Sequence, residues 1–295
     1  MKHSFVITLI LLGLFLGAQV IGLFITSKYI DVEKSKVEGE VVWKDLPSVA
    51  GMKVQRPDVE PSVSVWYILG AILVGTVLIL LIVRLQRALL WKIWFFLAVV
   101  LCLQIAFAAF IPSLIALILA VLLGWFKIFR PNFFLHNFTE LFIYGGLAVI
   151  FVPILNVMYA FVLLIALSAY DMYAVWRSKH MIKMAKFQTK AGIFAGLLLP
   201  YKLPKIPKVP RKKPKQRVMR IRTAVLGGGD IGFPLILAGT VLKDLGMGYA
   251  FIISIASAAA LGALLLLSKK KRFYPAMPFI TIGCAIGYGI IRLLI

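Results

Sequence analysis

Residues 223–242 have the sequence TAVLGGGDIGFPLILAGTVL, an apolar run that contains a single charged side chain, Asp230. Residues 158–176, MYAFVLLIALSAYDMYAVW, likewise contain only one, Asp171. An apolar run of about 20 residues is long enough to cross a membrane as a helix. A charged group at the centre of such a helix costs at least about 2.5–3.5 kcal/mol and usually marks a functional site. The two runs therefore predict a membrane protein with two functional acids inside its spans.

The rest of the chain has the same character. Hydrophobic residues make up 62% of the 295 positions and charged residues 15%, with a mean hydropathy of +0.98. Soluble domains carry about 25% charged residues, so a soluble globular fold is excluded. The apolar runs predict an all-α membrane protein with nine transmembrane helices at about 4–26, 63–83, 90–111, 113–129, 139–156, 158–176, 223–242, 247–267 and 275–294.

Loop charges predict the orientation. The net charge of +22 could indicate nucleic-acid binding, but basic residues also gather in the cytoplasmic loops of membrane proteins. Residues 28–62 hold seven of the eleven acidic side chains, whereas residues 177–222 hold fifteen Lys and Arg and no acid. Every basic loop lies on one side if the N-terminus is cytoplasmic and the C-terminus extracytoplasmic. The first run is longer than the core of a signal peptide, so we expect a retained helix.

The basic segment 177–222 divides the chain. We expect an N-terminal six-helix part (1–176), a basic, Pro-rich cytoplasmic loop (177–222) and a C-terminal three-helix part (223–295). Within the loop, the apolar stretch 191–200 is too short to span a membrane, and the repeated prolines after Tyr201 favour an extended linker. The linker is typical of a tether attracted to anionic lipid headgroups; recognition of a protein or nucleic acid is the alternative. We expect membrane lipids and no nucleic acid as partners.

Topology brings Asp171 and Asp230 together. The sixth helix runs inward and the seventh outward, so each acid lies roughly 9–11 Å below the same cytoplasmic boundary at 1.5 Å per residue. Four charged residues, Lys92, Lys127, Glu140 and Arg292, are expected at span ends. Asp171 and Asp230 are then the charges left inside the predicted spans, and no basic residue lies at their depth. Two adjacent carboxyls cannot both ionise cheaply and should share a proton. Such a pair can activate water and protonate a leaving amine; it could equally be a proton or cation site in a transporter, or a buried pair that holds helices together.

Three short motifs favour the first alternative. Gly227-Gly228-Gly229-Asp230 fits Gly-x-Gly-Asp, Tyr170-Asp171 fits Tyr-Asp, and Pro275-Ala276-Met277-Pro278 stands at the start of the last helix. Together they resemble the motifs of the presenilin and signal peptide peptidase family, and the chain looks like an archaeal-type member. The resemblance implies nine helices with Asp171 and Asp230 as the catalytic pair on the sixth and seventh. One position departs from the family's Pro-Ala-Leu, where Met277 replaces Leu with a side chain of similar volume.

Each motif residue also has a physical interpretation. Gly227 and Gly229 lack side chains, so another backbone can approach Asp230 closely, although ordinary helix packing would use them as well. The Tyr170 hydroxyl could orient a carboxylate, or the ring could simply lie at the membrane interface. Pro275 interrupts the start of the ninth helix and could leave backbone groups unpaired near the acids, or it is a plain helix-start proline.

Other intramembrane chemistries lack their residues. The sequence has no His-Glu-x-x-His motif, and we expect neither a metal nor a cofactor. The three histidines, His3, His136 and His180, fall at span ends or in loops, which leaves no buried base for a serine nucleophile. Prepilin-type peptidases also use a Gly-x-Gly-Asp acid pair, but nine spans and the proline motif disfavour them. A transporter would be expected to show an inverted repeat, and none is visible.

The sequence thus predicts an intramembrane aspartyl protease of the cell membrane that cuts transmembrane helices or signal peptides. We expect single-span membrane proteins or signal peptides as substrates and no obligatory accessory subunit. A helical substrate must unwind before cleavage, and its freed backbone then needs a partner, which strand addition can supply. The resemblance to presenilins suggests residues 191–200 and the backbone of 275–277 for that partner.

Overall fold

The computed structural model describes residues 5–48, 51, 53–85, 87–178, 184, 187–188, 193–201, 223–268 and 274–295. His3, His180, residues 191–192 and almost all of the Pro-rich linker lie outside this set. Helices dominate the described part: α1 (Phe5–Lys28), α2 (Val32–Glu38), α3 (Pro61–Leu85), α4 (Ala88–Ala108), α5 (Ser113–Phe129), α6 (Phe133–Phe151), α7 (Val157–Met172, continued by a π-helical turn, Tyr173–Arg177), α8 (Gly228–Leu245), α9 (Met247–Leu267) and α10 (Met277–Leu294).

Seven of these helices are long and apolar enough to cross a membrane: α1, α3, α4, α6, α7 with its π-helical turn, α9 and α10. The protein is therefore a multi-pass integral membrane protein. Helix α5 is apolar but has 17 residues, and α8 carries three charged side chains, Asp230, Lys243 and Asp244.

The fold is not entirely helical, which corrects the all-α prediction. Strands β1 (Gly196–Pro200) and β2 (Thr223–Gly227) pair antiparallel, with Gly196 opposite Gly227 and Pro200 opposite Thr223. The predicted start of the seventh transmembrane helix at Thr223 is wrong, because that helix, α8, begins at Gly228. The β-branched residues Thr223 and Val225 suit a strand, and a partner from across the loop satisfies its backbone. As a result, Asp230 lies in the first turn of α8.

Small residues allow the central helices to approach one another closely. Helix α1 packs along α6, α8 and α9, and Gly22 of α1 lies directly against the Leu235 side chain of α8. At Gly146 of α6, an added Cβ would stand 2.0 Å from the Cys102 carbonyl oxygen of α4. Close packing through small residues is how membrane helices associate without a hydrophobic driving force. Helices α6 and α8 also lie side by side, with Gly232 of α8 against the Leu147 and Tyr144 side chains of α6.

The first loop is fastened to the helix ends by Arg56. Its Nε donates to the Val149 carbonyl at 3.1 Å, and its guanidinium lies over the rings of Tyr29 and Trp43 at 6.0 and 5.7 Å. The Tyr29 hydroxyl donates to the Ile105 carbonyl at 2.7 Å. Burial raises the pKa of Tyr29 to about 12, against the opposing effect of the Arg56 charge. Tyr29 therefore keeps its hydroxyl proton and remains a hydrogen-bond donor.

Candidate functional site

Asp171 lies near the end of α7 and faces the start of α10. Its side chain is buried, and its Oδ2 accepts a hydrogen bond from the Met277 backbone N–H at 3.2 Å. The Ala276 N–H also faces this carboxyl. Unpaired N–H groups at a helix N-terminus favour a negative charge. The sequence pattern Pro275-Ala276-Met277 therefore supplies amide donors to Asp171 through its backbone.

Asp230 occupies the first turn of α8 and remains partly exposed. The Gly227 backbone N–H donates to its carboxyl, and Asp230 is close enough to Asp171 for the two charges to interact. Each acid thus lies at a helix N-terminus, Asp230 at that of α8 and Asp171 at that of α10. Within the described ranges, no group of His, Cys, Asp and Glu side chains is arranged to hold a metal ion. The arrangement is two interacting carboxyls with backbone donors, which can share one proton and polarise a water.

The glycines of the Gly-x-Gly-Asp motif have unequal surroundings. Gly227 ends β2 rather than lying on a helix face, and an added Cβ there would stand 3.2 Å from Asp230 Oδ2. A Cβ at Gly228 would be 3.0 Å from the Tyr144 hydroxyl oxygen. At Gly229 the nearest atom, at 3.3 Å, belongs to the Phe233 ring, which can move aside. All three positions are tight, and the variable position of the motif, Gly228, is the tightest by a small margin, which the sequence pattern did not indicate.

Tyr170 points toward α3. Its hydroxyl lies 3.4 Å from Thr76 Oγ1, which links α7 to that helix. One turn before Asp171, Ser168 Oγ lies 2.8 Å from Thr281 Oγ1, and this contact fixes α7 against α10. Ser168 and Thr281 were not predicted as site residues, because neither side chain is ionisable. Their spacing from Asp171 and Met277, three and four residues along a helix, was the available signal.

A buried polar cluster lies behind the glycine motif. Lys127 and Glu140 form an ion pair with Nζ and Oε1 2.7 Å apart, and their side chains are 1% and 2% exposed. Lys127 lies in the last turn of α5, as expected for a span-end residue, but the same expectation for Glu140 was wrong, because α6 begins at Phe133 and Glu140 lies two turns inside it. His136 is buried as well, contrary to expectation, with Nε2 2.7 Å from the Gly196 carbonyl oxygen and Nδ1 3.3 Å from Lys127 Nζ.

Helix α1 reaches the site through Gln19. This side chain is fully buried, and its Nε2 donates to the Ile231 carbonyl at 2.9 Å, one residue after Asp230. Among the described helices, α1, α6, α7 and α10 therefore all contact the residues around the two acids, directly or through α8.

Replacing the Met277 side chain should have a small effect on activity, whereas removing the backbone N–H of Ala276 should have a large one. We expect Met277→Leu to stay within about tenfold of wild-type activity, since such apolar swaps usually cost less than about 1.5 kcal/mol. Ala276→Pro deletes one donor to Asp171, and hydrogen bonds to charged groups are worth about 1.5–3 kcal/mol, so activity should fall by roughly 10- to 100-fold. Initial rates on one peptide-bond substrate measure both effects.

Melting temperatures serve as the control for this pair of variants, because Pro is tolerated in the first turn of a helix. Equal activities of Met277→Leu and Ala276→Pro, in proteins of similar stability, would contradict the assignment of backbone donors to Asp171.

Known proteins resemble this chain in sequence family and in fold. Residues 46–295 match the family described as signal-peptide peptidase, presenilin aspartyl protease. No curated protein matches the sequence. Two solved structures of a presenilin family intramembrane aspartate protease share the fold. The form in space group P2 is 20% identical, with a TM-score of 0.62 over 97% of this chain and 97% of that one. The form in C222 is 18% identical, with a TM-score of 0.59 over 95% and 94%.

Proposed function

Because the chain belongs to the signal-peptide peptidase and presenilin family of aspartyl proteases, we propose that it hydrolyses peptide bonds within transmembrane helices or signal peptides, with Asp171 and Asp230 as the catalytic pair. The observation that carries the proposal is the approach of these two carboxyls from different helices, each at a helix N-terminus with backbone donors. A pair of this kind supplies the general base and the general acid that amide hydrolysis needs.

The reaction requires one proton on the pair. The ionised carboxylate takes a proton from water as the water oxygen attacks the scissile carbonyl, and the protonated carboxyl donates its proton toward the carbonyl oxygen. Collapse of the tetrahedral gem-diol returns a hydroxyl proton to the ionised carboxylate and breaks the C–N bond, while the protonated carboxyl delivers its proton to the amine nitrogen, so the pair ends with one proton. In the free enzyme the proton belongs to the pair, so either Asp can start as the base. No covalent enzyme intermediate and no cofactor are required.

The supporting motif residues have distinct roles in this proposal. Ala276 and Met277 hold Asp171 through their amides, and Pro275 precedes them at a buried position. Gly227 contributes a backbone donor to Asp230. Gly229 leaves space beside Asp230, and Tyr170 anchors α7 to α3.

In the proposed topology α5 and α8 complete nine spans. The 17 residues of α5 extend about 25 Å at 1.5 Å per residue, which is short for a bilayer core of about 30 Å and is accommodated by local thinning. The N-terminus is then cytoplasmic and the C-terminus extracytoplasmic, and β1, β2 and both acids lie toward the cytoplasmic side of the cell membrane. The fifteen basic side chains in the sequence of 177–222 are the feature that supports this orientation.

Among the described residues, none pairs with the outer edge of β2. This edge, beside Asp230, is available to a substrate backbone. The outer edge of β1 is occupied, because Asn137 accepts from the Leu198 N–H at 3.0 Å and donates to the Leu198 carbonyl at 2.8 Å. His136 holds the Gly196 carbonyl on the same edge. In an antiparallel pair, two residues directly opposite each other either both direct their N–H and C=O groups toward the partner strand or both direct them away from it. Val225, opposite Leu198, therefore directs its backbone groups away from β1, and it is 44% exposed.

A substrate strand would accordingly add to β2 rather than to residues 191–200. Unwinding of a transmembrane substrate leaves its N–H and C=O groups without partners in a low-dielectric medium, and strand addition satisfies them. The Val225 edge lies five residues before Asp230 along the chain, which places a bound strand next to the catalytic pair.

Val225→Pro should weaken substrate binding, because it deletes the outward N–H without removing a β1–β2 hydrogen bond, and Pro is tolerated on edge strands. One lost hydrogen bond of about 0.5–1.5 kcal/mol predicts a KM increase of roughly 2- to 10-fold. Steady-state kinetics with a single-span substrate would measure it.

Val225→Thr is the matched control, since it keeps the amide and the β-branched shape. We expect its KM to stay near that of the wild type. If Val225→Pro and Val225→Thr had the same KM, β2 would not be the substrate-pairing edge.

The decisive experiment places the purified chain in lipid vesicles with a single-span test substrate, or a signal peptide, and identifies the products by mass spectrometry. We expect a cut within the span and no requirement for a second protein or a metal. A wild-type protein that cuts none of several substrates would overturn the proposal. Ion or proton flux across the same vesicles, lost when either Asp is replaced, would then support the transporter alternative.

A further inference from the structure

The ion pair between Lys127 of α5 and Glu140 of α6 is almost completely excluded from solvent. Lys127 Nζ also lies 3.1 Å from Thr139 Oγ1 and 3.3 Å from the His136 carbonyl oxygen, so it is surrounded by acceptors. Burying two charges costs several kcal/mol per ion, and well-packed apolar residues are often as stabilising. Stability alone is therefore a weak reason for this pair.

The pair continues toward the catalytic helix through Tyr144. The second carboxylate oxygen of Glu140 accepts a short hydrogen bond from the Tyr144 hydroxyl, and Tyr144 is 4% exposed. That hydroxyl lies against Gly228, where an added Cβ would come within 3.0 Å of it. Gly228 begins α8, two residues before Asp230, and its N–H donates to the Ala195 carbonyl at 3.1 Å. The Tyr144 hydroxyl therefore contacts the backbone at the start of α8, and that backbone determines the position of Asp230.

A second arm of the same helix leads to the strand instead. His136 and Asn137 hold Gly196 and Leu198 on the outer edge of β1. Helix α6 therefore supports two different parts of the site, with Tyr144 under the start of α8 and Asn137 beside the sheet that would pair with substrate.

We propose that Tyr144, held by Glu140 and Lys127, is a positioning residue that sets the placement of Asp230 for catalysis, while Asn137 sets the placement of the substrate-binding sheet. This inference rests on the proposed protease function. The Lys127 charge compensates that of the buried Glu140, Glu140 accepts from the Tyr144 hydroxyl and so fixes it, and the hydroxyl holds Gly228 against displacement. A displacement of about 1 Å at a catalytic group can cost roughly 10²-fold in rate.

The Tyr144 contact with α8 and the Asn137 contact with β1 predict different effects on kcat and KM. Tyr144→Phe should lower kcat by about tenfold with little change in KM, because it loosens Asp230 without touching the sheet. Asn137→Leu should instead raise KM by roughly three- to tenfold, since the lost hydrogen bonds fix the sheet. Tyr29→Phe is the matched control: it removes another buried hydroxyl, bonded to Ile105, that has no contact with the site.

Two charge-free double variants separate positioning from packing. Lys127→Met with Glu140→Gln keeps an acceptor for the Tyr144 hydroxyl, whereas Lys127→Met with Glu140→Leu does not. Both avoid leaving a buried charge unpaired, which is the main risk to folding of the single variants. We expect the Gln double variant to keep kcat within about threefold of the wild type, and the Leu double variant to lose about tenfold, as Tyr144→Phe does. A purely structural role predicts that kcat follows the melting temperature.

The assay is the vesicle cleavage measurement, with kcat, KM and melting temperature recorded for every variant. Equal kcat in the Gln and Leu double variants, or wild-type kcat in Tyr144→Phe, would overturn the positioning role while leaving the protease assignment intact. A fall of kcat and KM together in Asn137→Leu would refute the division between the two arms. A wild-type chain that cuts nothing would remove the protease assignment, and this inference with it.

Discussion

Asp171→Asn and Asp230→Asn should each lower the rate of peptide-bond cleavage by roughly 10²–10⁴-fold, the usual contribution of a general acid or base. Asn keeps the size and the acceptor oxygen of the side chain but can neither take nor deliver the proton. Under the proposed mechanism each substitution should be equally harmful, because the pair needs one ionised and one protonated carboxyl. Mass spectrometry of the products of a single-span substrate, in lipid, provides the measurement.

Asp244→Asn is the matched control for this pair of variants. Asp244 lies at the far end of α8 from Asp230, has a side chain that is 38% exposed, and forms a weak ion pair with Lys243 at 3.7 Å. Its replacement should leave cleavage unchanged. Both catalytic-site variants should remain folded, since neither creates a buried charge. More than about a tenth of wild-type activity in either would show that the other carboxyl works alone, and equal activity in all three proteins would mean a contaminating protease.

Gly196→Ala should produce the second-largest loss. Gly196 has φ of +144°, and an added Cβ would stand 2.2 Å from the Leu226 carbonyl oxygen of the paired strand. Backbone strain of this kind costs about 1–3 kcal/mol, and the contact with a backbone atom adds to it, so the strands must separate. The equilibrium constant for correct strand pairing should fall by roughly 5- to 150-fold, and the cleavage rate should fall by up to the same factor. Cleavage rates measured together with melting temperature test this expectation.

Gly13→Ala is its control, because a Cβ at Gly13 in α1 meets nothing within 4 Å. The same reasoning ranks the motif glycines: Gly228→Ala, which crowds the Tyr144 hydroxyl, should be more harmful than Gly229→Ala, which meets only a movable ring. Wild-type cleavage by Gly196→Ala, or a reversed order of the two motif variants, would contradict the close-approach argument.

The sequence by itself determined the membrane class, most of the long helices and the two acids. These features are local: the length of an apolar run decides whether a helix can cross a bilayer, and a lone charge such as Asp171 or Asp230 is conspicuous within it. The backbone constraints at Pro275 and in the glycine motif are also local, which is why their patterns could be recognised without coordinates.

Only the tertiary structure decided which groups meet. The β1–β2 pair joins segments on opposite sides of the basic loop, so a run that looked helical from Thr223 became a strand because a partner was present. Lys127 and Glu140 look like span-end charges in the sequence, yet packing of α5 against α6 buries them together. The hydrogen bond from Met277 to Asp171 and the contact of the Tyr144 hydroxyl with Gly228 depend on distances between helices that are remote in the chain. Local periodicity carries no information about such distances.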